Sequence, residues 1–323
     1  MRMPVLVVLY KDQGSLPDGM AAIESICEVR YATAPQLADA IRGAEILFLW
    51  DFFSSTVQEV WEHASVLKWI HVAAAGVDKL LFAGLADSDV IVTNARGIFD
   101  RPIAEFVLAS ILALAKDLPG SLRRQQSGVW EHRETERIDG SRALIVGTGS
   151  IGRETARMLT AVGMHVEGVG RTDRVGDADF GTVHASNRLA SIVREIDYVV
   201  LIAPLTDSTR NMVDSEVLTA MKPTARLINV GRGELVDDEA LLDALRRGQI
   251  AAAALDVFST EPLPPDSPLW RLENVLISAH LSGDAVGWLN RLSALFADNL
   301  DRYVRGDELV NVVDKKLGFV PSS

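Results

Sequence analysis

The sequence predicts an α/β protein with two doubly wound parallel sheets, and three observations support this fold class. A chain of 323 residues is long for a single hydrophobic core and suits two domains of ordinary size. Short apolar segments alternate with helical patterns, which is typical of parallel sheets. The alternation stops near Ile98–Pro102 and resumes at Ala143, so the chain is expected to contain two such sheets.

Composition narrows the class of protein. With 48% hydrophobic and 24% charged residues and no apolar run of about 18 residues, the composition predicts a soluble globular protein without a membrane span. The apolar segment Val5–Tyr10 meets Lys11 rather than a small-residue cleavage site, so it is a predicted strand and not a signal peptide. The single cysteine, Cys27, excludes an internal disulfide, fits the cytoplasm and is expected in the core.

Charge and histidine spacing exclude two further classes. The net charge of −12 is spread along the chain and argues against a nucleic-acid-binding surface. The six histidines have no ligand-like spacing, so no metal site is expected.

The first hundred residues predict five strands and two helices. A turn at Ala73–Asp78 follows the fourth strand, where open α/β sheets place ligand-binding loops. Its small residues suit either exposed amides that bind an anion or a tight connection to the next helix. The strands are Val5–Tyr10, Glu28–Tyr31, Ile46–Trp50, Trp69–Val72 and Val90–Thr93, and the helices are Pro35–Arg42 and Thr56–His63.

A long helix at Ile103–Ala115 opens the second domain, with Pro102 in its first turn and Glu105 favourable near its N-terminus. We expect a first domain of residues 1–99 with 289–323, and a second domain of residues 100–288. Pro119–Asp139 shows no clear period and is either an interaction arm or a loose loop, with Trp130 exposed.

From Ala143 the pattern predicts a six-stranded doubly wound sheet. Asp237 or Asp238 is placed to cap a helix at Asp238–Leu245. An amphipathic helix at Trp288–Val304 is expected to return to the first domain and cover its sheet. The six strands are Ala143–Val146, His165–Val169, Tyr198–Ala203, Ala225–Asn229, Ala252–Val257 and Val275–Ser278.

The segment Ala143–Gly152 combines a strand, a glycine-rich turn and a helix start. In this context Gly147 permits the tight turn, Gly149 permits close approach of a pyrophosphate, and Gly152 permits close packing of helix on strand. The amides at the helix start, at Ser150 and Ile151, would then hold phosphate charge. The pattern favours a dinucleotide over a plain βα turn.

The residue that ends the second strand of such a fold selects the cofactor, because an acid there accepts the ribose hydroxyls of NAD. Here the strand ends at Gly170, whereas Glu167 lies in mid-strand. The missing carboxylate and the residues that follow it favour the 2′-phosphate of NADP(H), and NAD with Glu167 or Asp173 as the ribose acceptor is the alternative. The residues that would accept the phosphate are Arg171, Thr172 and Arg174.

Three later loops each follow a predicted strand and each offers a different chemical group. Asn229–Gly233 contains an arginine that can hold a carboxylate, and Ser278–Gly283 contains a histidine that can exchange a proton near neutral pH. Leu255–Pro262 contains a glutamate that would favour the protonated histidine. Taken singly, each group also suits a salt bridge, a cap or a core position.

Together these segments resemble the D-2-hydroxyacid dehydrogenase family, and its glyoxylate/hydroxypyruvate reductase members most of all. The likeness covers nearly the whole chain and is densest from Ala143 to Gly283. Its specific motifs are Gly147–Gly152, Ala203–Thr206 with Thr209-Arg210, Ile228–Gly233, Asp256–Phe258 with Glu261-Pro262, and His280–Asp284.

The resemblance implies roles for individual residues. Arg232 would bind the carboxylate and carbonyl oxygen of a 2-oxo acid, and His280 would donate the proton during reduction. Glu261 would pair with His280, and the amides of Ala75 and Gly76 would hold the substrate carboxylate. The cofactor would further contact Ala203, Pro204, Thr209, Val230, Gly231, Asp256 and Gly283.

The resemblance also implies a flavodoxin-like substrate domain, a Rossmann domain, a cleft that closes on the substrate, and a homodimer formed through residues 102–139. Ala279 and Ala74 depart from the proline and serine common in the family, and Glu261 argues against formate oxidation. The expected substrate is a small acid such as glyoxylate or hydroxypyruvate. A phosphoglycerate dehydrogenase-like enzyme and a non-catalytic dinucleotide sensor are the alternatives.

Two features of the first domain leave the size of the substrate open. Trp50, Phe52 and Phe53 follow a strand end and suit either the wall of a side-chain pocket or the core. Arg96 suits an anion contact or, by default, a structural salt bridge.

Overall fold

The computed structural model describes residues 3–12, 14 and 16–321. The chain forms two compact units. One unit contains the described residues up to Phe99 together with those from Ala285 onward, and the other spans Asp100–Asp284. The chain thus leaves the second unit after Asp284, four residues before the expected boundary at 288.

The first unit is built on a five-stranded parallel sheet. Every residue of its first, third and fourth strands is buried, because both faces of a parallel sheet are covered, and His71 in the fourth strand is the one residue of the three strands that is not apolar. The strands are β1 (Val5–Leu9), β2 (Glu28–Ala32), β3 (Ile46–Leu49), β4 (Trp69–Val72) and β5 (Ile91–Thr93), in the order β2-β1-β3-β4-β5.

Short helices connect these strands. The predicted helices Pro35–Arg42 and Thr56–His63 are each divided between a 3₁₀ turn and one turn of α-helix, and the first ends at Ala40 rather than at Arg42. Cys27 is buried in this unit, as predicted. The α-helices are α1 (Met20–Glu24), α2 (Leu37–Ala40), α3 (Thr56–Glu59) and α4 (Ala83–Ala86), and the 3₁₀ turns are Ala34–Gln36 and Trp61–His63.

The second unit contains an eight-stranded sheet. Seven strands run parallel, and one edge strand is antiparallel. The strands are β6 (Arg142–Val146), β7 (His165–Gly170), β8 (Arg174–Asp177), β9 (Gly181–Ala185), β10 (Tyr198–Leu201), β11 (Arg226–Asn229), β12 (Ala252–Leu255) and β13 (Val275–Ile277), in the order β13-β12-β11-β10-β6-β7-β9-β8.

The prediction of six strands was wrong, because the hairpin of β8 and β9 was missed. This hairpin forms the exposed edge of the sheet, and among its strand residues only Val183 is buried. An edge strand with one buried residue has almost no apolar periodicity, so the sequence gives little signal for it.

The helices of the second unit include one that the sequence did not predict. Residues 119–126 belong to α6, so the loose-loop alternative for Pro119–Asp139 was wrong for its first part. Asp117 caps α6 by accepting a hydrogen bond from the Gly120 amide, whereas Leu118 and Leu122 are half exposed and give no buried face. The helices are α5 (Asp100–Ala115), α6 (Leu118–Gln126), α7 (Ser150–Ala161), α8 (Leu189–Ile192), α9 (Ser215–Ala220) and α10 (Asp238–Arg246).

Four 3₁₀ turns complete the second unit: Ser186–Arg188, Val193–Glu195, Gly233–Leu235 and Pro268–Arg271. Asp237 is the residue that caps α10, through the Ala240 amide at 3.0 Å.

The last helix, α11 (Trp288–Arg305), packs on the sheet of the first unit, as predicted. Its Phe296 ring stacks on Phe48 with centroids 3.9 Å apart and on Trp69 at 5.5 Å. No helix within the described ranges is long and apolar enough to cross a lipid bilayer.

Candidate active site

The glycine-rich turn between β6 and α7 contains three glycines with different requirements. Gly147 has φ +117°, and a Cβ there would lie 2.7 Å from the Ala203 nitrogen. A Cβ on Gly152 would lie 2.0 Å from the Gly147 carbonyl oxygen. The fold itself therefore demands glycine at both positions, whereas a Cβ on Gly149 would meet nothing within 4 Å.

This open space fits a pyrophosphate. Gly149 is the N-cap of the 12-residue α7, and no side chain caps the amides of that helix. An uncapped helix start, with its dipole, is a ready anion-binding site. The Ser150 hydroxyl donates to Asp100 at 3.1 Å, and Ile151 follows it on the first turn. The residues present thus suit the dinucleotide predicted from the sequence.

The two carboxylates near the end of β7 each contact other groups of the protein. The Glu167 carboxylate accepts hydrogen bonds from Arg142 at 2.7 Å and contacts the His184 ring nitrogen at 2.6 Å. Asp173 accepts from the Ala185 amide at 3.0 Å. Both carboxylates that could have served NAD therefore have other partners.

Basic groups lie around Gly170 instead. Arg174 lies on β8, and its Nη2 is 3.4 Å from both the Thr148 hydroxyl and the Asp177 carboxylate. Thr148 is part of the glycine-rich turn, so the hairpin brings this guanidinium to the dinucleotide loop. Arg171 and Thr172 are exposed beside it.

A second arginine anchors the hairpin. Arg153 on α7 forms ion pairs with Asp177 at 2.9 Å and Asp179 at 2.8 Å. The hydrogen bonds from Arg153 lower the pKa of Asp177 far below its usual range. The edge hairpin is thus held to the helix that starts at the dinucleotide loop.

Arg232 lies in the loop after β11, and a buried asparagine shapes that loop. Asn229 accepts a hydrogen bond from the Gly231 amide at 3.1 Å and donates to the Arg232 carbonyl at 2.8 Å. The Arg232 guanidinium donates to the Gly231 carbonyl at 2.8 Å.

The next residue ties this loop to its neighbour. A Cβ on Gly233 would lie 2.0 Å from the Phe258 carbonyl carbon and 2.1 Å from the Ser259 nitrogen. The loop after β11 and the loop after β12 are therefore in direct backbone contact, which fixes Arg232 relative to the segment that contains Glu261.

His280 and Glu261 form a hydrogen-bonded pair. The His280 Nδ1 lies 2.8 Å from Glu261 Oε2, and Glu261 Oε1 accepts from the Phe258 amide at 3.0 Å. Both side chains are about 30% exposed, at 32% and 26%. The pair uses Nδ1, so Nε2 is the ring nitrogen on the side away from the carboxylate.

The Asp256 carboxylate anchors the loop that contains His280. Its fully buried carboxylate accepts hydrogen bonds from the Ser278 hydroxyl at 2.6 Å, the Leu281 amide at 3.0 Å and the Ser282 amide at 2.9 Å. Its carbonyl accepts from the His280 amide at 2.8 Å, and His280 itself has φ +52°. Asp256 was predicted only as a cofactor contact. An acid at the end of an apolar strand is the one sequence signal for this anchoring role.

The remaining predicted cofactor residues lie at the carboxyl ends of the same sheet. Thr209 donates to the Pro204 carbonyl at 2.7 Å and accepts from the Thr206 amide at 2.8 Å, so it fixes the loop after β10. Ala203 and Val230 are buried, and Gly283 is buried in the loop after β13. The strand order reverses between β6 and β10, where open α/β sheets bind ligands.

In the first unit, the turn at Ala73–Gly76 follows β4. Trp50 is buried, Phe52 packs on the core, and Phe53 is half exposed with the Lys79 ammonium 4.9 Å from its ring centroid. Of the two open readings, Trp50 and Phe52 thus take the core position.

Arg96 has a structural role. Its guanidinium donates to the Val320 and Pro321 carbonyls at 3.3 and 2.9 Å. It therefore binds backbone carbonyls rather than the acid of a salt bridge.

Comparison with known proteins identifies the family. Residues 108–282 match the model of the D-isomer specific 2-hydroxyacid dehydrogenase NAD binding domain. The chain is 33% identical over 268 residues to a glyoxylate reductase of Korarchaeum cryptofilum, covering 80% of each chain. It is 30% identical over 302 residues to a D-3-phosphoglycerate dehydrogenase of Methanocaldococcus jannaschii, covering 92% of this chain but only 57% of that enzyme.

A solved structure extends the likeness to the whole fold. The D-isomer specific 2-hydroxyacid dehydrogenase of Xanthobacter autotrophicus Py2, in complex with NADPH and MES, is 30% identical with a TM-score of 0.81, and the match covers 98% of this chain and 100% of that one. These findings support the predicted activity class, hydride transfer between a nicotinamide dinucleotide and a small 2-oxo acid. The family resemblance predicted from the sequence is confirmed. The chain belongs to the D-isomer specific 2-hydroxyacid dehydrogenase family.

Proposed function

We propose that this protein reduces a small 2-oxo acid, of the size of glyoxylate or hydroxypyruvate, to the D-2-hydroxy acid. The observation that supports this most strongly is the hydrogen bond of 2.8 Å between His280 and Glu261. The loop that contains Glu261 is in backbone contact with the loop that contains Arg232. The carboxylate on Nδ1 fixes the orientation of the ring. Nε2 is then a proton donor for a carbonyl oxygen.

Arg232 and His280 would each act on a different group of the substrate. The Arg232 guanidinium binds the substrate carboxylate and polarises the adjacent carbonyl. His280 delivers a proton from Nε2 to the carbonyl oxygen as negative charge develops there, and Glu261 stabilises the ring while it is charged. A nicotinamide dinucleotide held at the glycine-rich turn would supply the hydride for the carbonyl carbon. The amides of Ala75 and Gly76 are assigned to the substrate carboxylate.

We further propose that the protein prefers NADP(H) to NAD(H) as its cofactor. Support comes from Gly170 at the end of β7, from the occupied carboxylates of Glu167 and Asp173, and from Arg174 near the glycine-rich turn. A 2′-phosphate needs cationic partners where NAD needs an acid.

We also propose the roles of the units and the assembly. The unit that contains Ala75 is the substrate domain, and Asp100–Asp284 is the dinucleotide-binding domain. Residues 102–139 are assigned to a homodimer interface, supported by Trp130, which is 100% exposed, and by the half-exposed Leu122 and Val129. The single cysteine agrees with the cytoplasm as the compartment.

The test is a set of initial rates with NADPH and NADH against glyoxylate, hydroxypyruvate, pyruvate and 3-phosphohydroxypyruvate. Rapid oxidation of NADPH by one of the small acids is expected. A preference for the phosphorylated acid would favour a phosphoglycerate dehydrogenase-like enzyme, in line with the Methanocaldococcus relative. Cofactor binding without turnover of any acid would contradict the proposed activity and favour a dinucleotide sensor.

A further inference from the structure

The segment that follows β5 donates hydrogen bonds to the turn that follows β4. The Ala95 amide donates to the Ala74 carbonyl at 2.9 Å, and the Asn94 side-chain amide donates to the Ala75 carbonyl at 2.5 Å. Two consecutive carbonyls of the turn therefore point toward residues 94–95.

This arrangement fixes the direction of two amides. In a planar trans peptide the carbonyl of one residue and the N–H of the next point in opposite directions. The Ala74 and Ala75 carbonyls belong to the peptides that carry the Ala75 and Gly76 amides. Both amides are thus aimed away from Asn94, and neither donates to another group in the described part of the chain.

Asn94 is itself fixed. It is only 3% exposed, and its side-chain oxygen accepts from the Arg96 amide at 3.2 Å. Its side-chain nitrogen therefore has one orientation, toward the turn, and a hydrogen bond at a carbonyl also strengthens the N–H of the same peptide as a donor.

The C-terminal segment holds Asn94 in turn. The Asn311 carbonyl accepts from the Asn94 amide at 3.2 Å. The Asn311 side chain donates to the Asn94 and Arg96 carbonyls at 3.3 and 2.9 Å. Asn311 has φ +59°, a conformation that asparagine tolerates better than most residues.

From this geometry we propose that Asn94 is a positioning residue for the substrate carboxylate, and that Asn311 of the C-terminal segment supports it. Asn94 aims the Ala75 and Gly76 amides, and these bind the carboxylate of a 2-oxo acid. The inference rests on the proposed function for the identity of that anion, but the aim of the amides follows from the hydrogen bonds alone.

The test compares three variants by their kinetics. Asn94→Ala removes the donor to Ala75. Asn311→Gly removes the supporting side chain but keeps the left-handed backbone accessible. Lys315→Met is the matched control, because Lys315 belongs to the same C-terminal segment but donates to the Leu85, Ser88 and Val90 carbonyls, away from the turn.

We expect Asn94→Ala to raise KM for the acid about tenfold while kcat changes little, because a carboxylate contact is made equally in ground and transition states. Asn311→Gly should raise KM in the same direction by less. Lys315→Met should lower the melting temperature without raising KM. An unchanged KM in Asn94→Ala, or an equal rise in Lys315→Met at a comparable loss of stability, would overturn the proposal.

A second measurement needs no turnover. Malonate is titrated into the protein with bound NADP⁺ while the ¹⁵N amide resonances of Ala75 and Gly76 are followed. The wild type should show shifts at both amides, and Asn94→Ala should lose them. Wild-type amides that do not respond would overturn this inference, whereas a response without reduction of any 2-oxo acid would refute only the proposed function.

Discussion

Replacing Gly149 by alanine separates cofactor binding from folding. A Cβ at this position meets nothing within 4 Å, and φ is −75°, which alanine adopts readily. Alanine reduces the entropy of the unfolded chain, a gain of about 0.4–1 kcal/mol, but it is a poorer N-cap than glycine by a similar amount. The free energy of unfolding should therefore stay within about 0.5 kcal/mol of the wild type.

The same methyl group should strongly weaken cofactor binding. It would occupy the space into which a pyrophosphate must approach the helix start. At 100 times its Kd a cofactor adds about 2.7 kcal/mol to the free energy of unfolding, so NADPH should raise the melting temperature of the wild type by several degrees. For Gly149→Ala this thermal shift should be largely lost, and Kd should rise at least about tenfold.

Gly152→Ala is the control for a glycine that the fold requires. Its Cβ would lie 2.0 Å from the Gly147 carbonyl oxygen, so the backbone must move and stability should fall by roughly 1–3 kcal/mol. Differential scanning fluorimetry with and without NADPH reads both effects. If Gly149→Ala kept the full thermal shift with NADPH, the assignment of this turn to the pyrophosphate would be refuted.

Three further predictions concern cofactor choice, pH and assembly. Arg174→Ala should raise Kd for NADPH about tenfold and leave that for NADH nearly unchanged, and equal effects in a fluorescence titration would count against a 2′-phosphate contact. Burial lowers the pKa of His71 from 6.5 to about 3. Between these two pH values only the unfolded state binds the proton, so the free energy of unfolding decreases as the pH is lowered. Urea unfolding at pH 7.5 and 5.5 should show a loss of about 1.4 kcal/mol that His71→Leu lacks, and an equal slope in both proteins would contradict this. The wild type should sediment as a dimer and the Leu122→Glu, Trp130→Glu double variant as a monomer, and a dimeric double variant would exclude this interface.

The sequence predicted the elements that are buried on both faces. β1, β3, β4 and β10 are fully buried, so their sequences are apolar except for His71 and contrast with the polar segments that flank them. The hairpin of β8 and β9 and the helix α6 were missed because their stability comes from ion pairs and a cap rather than from an apolar face. The pair between Arg153 and Asp177 joins residues 24 positions apart, and no local pattern predicts it.

The chemically distinct groups of the site could also be predicted from the sequence. Arg232, Glu261 and His280 each follow a strand of one parallel sheet, so the order of the strands brings their loops to one edge. The residues that shape those loops could not be predicted. Asn229 and Asp256 act through hydrogen bonds to backbone groups, as Asn94 does at the turn after β4. Such bonds depend on loop conformations that sequence spacing does not specify.

The measurement that tests the central claim most directly compares kcat of the wild type and His280→Asn for reduction of the best 2-oxo acid, with the Kd for NADPH determined in parallel. The account predicts that kcat falls by about 10²–10⁴, since the proton donor is lost, while the Kd changes little. A His280→Asn variant that retains wild-type kcat would contradict the assignment of His280 as the proton donor.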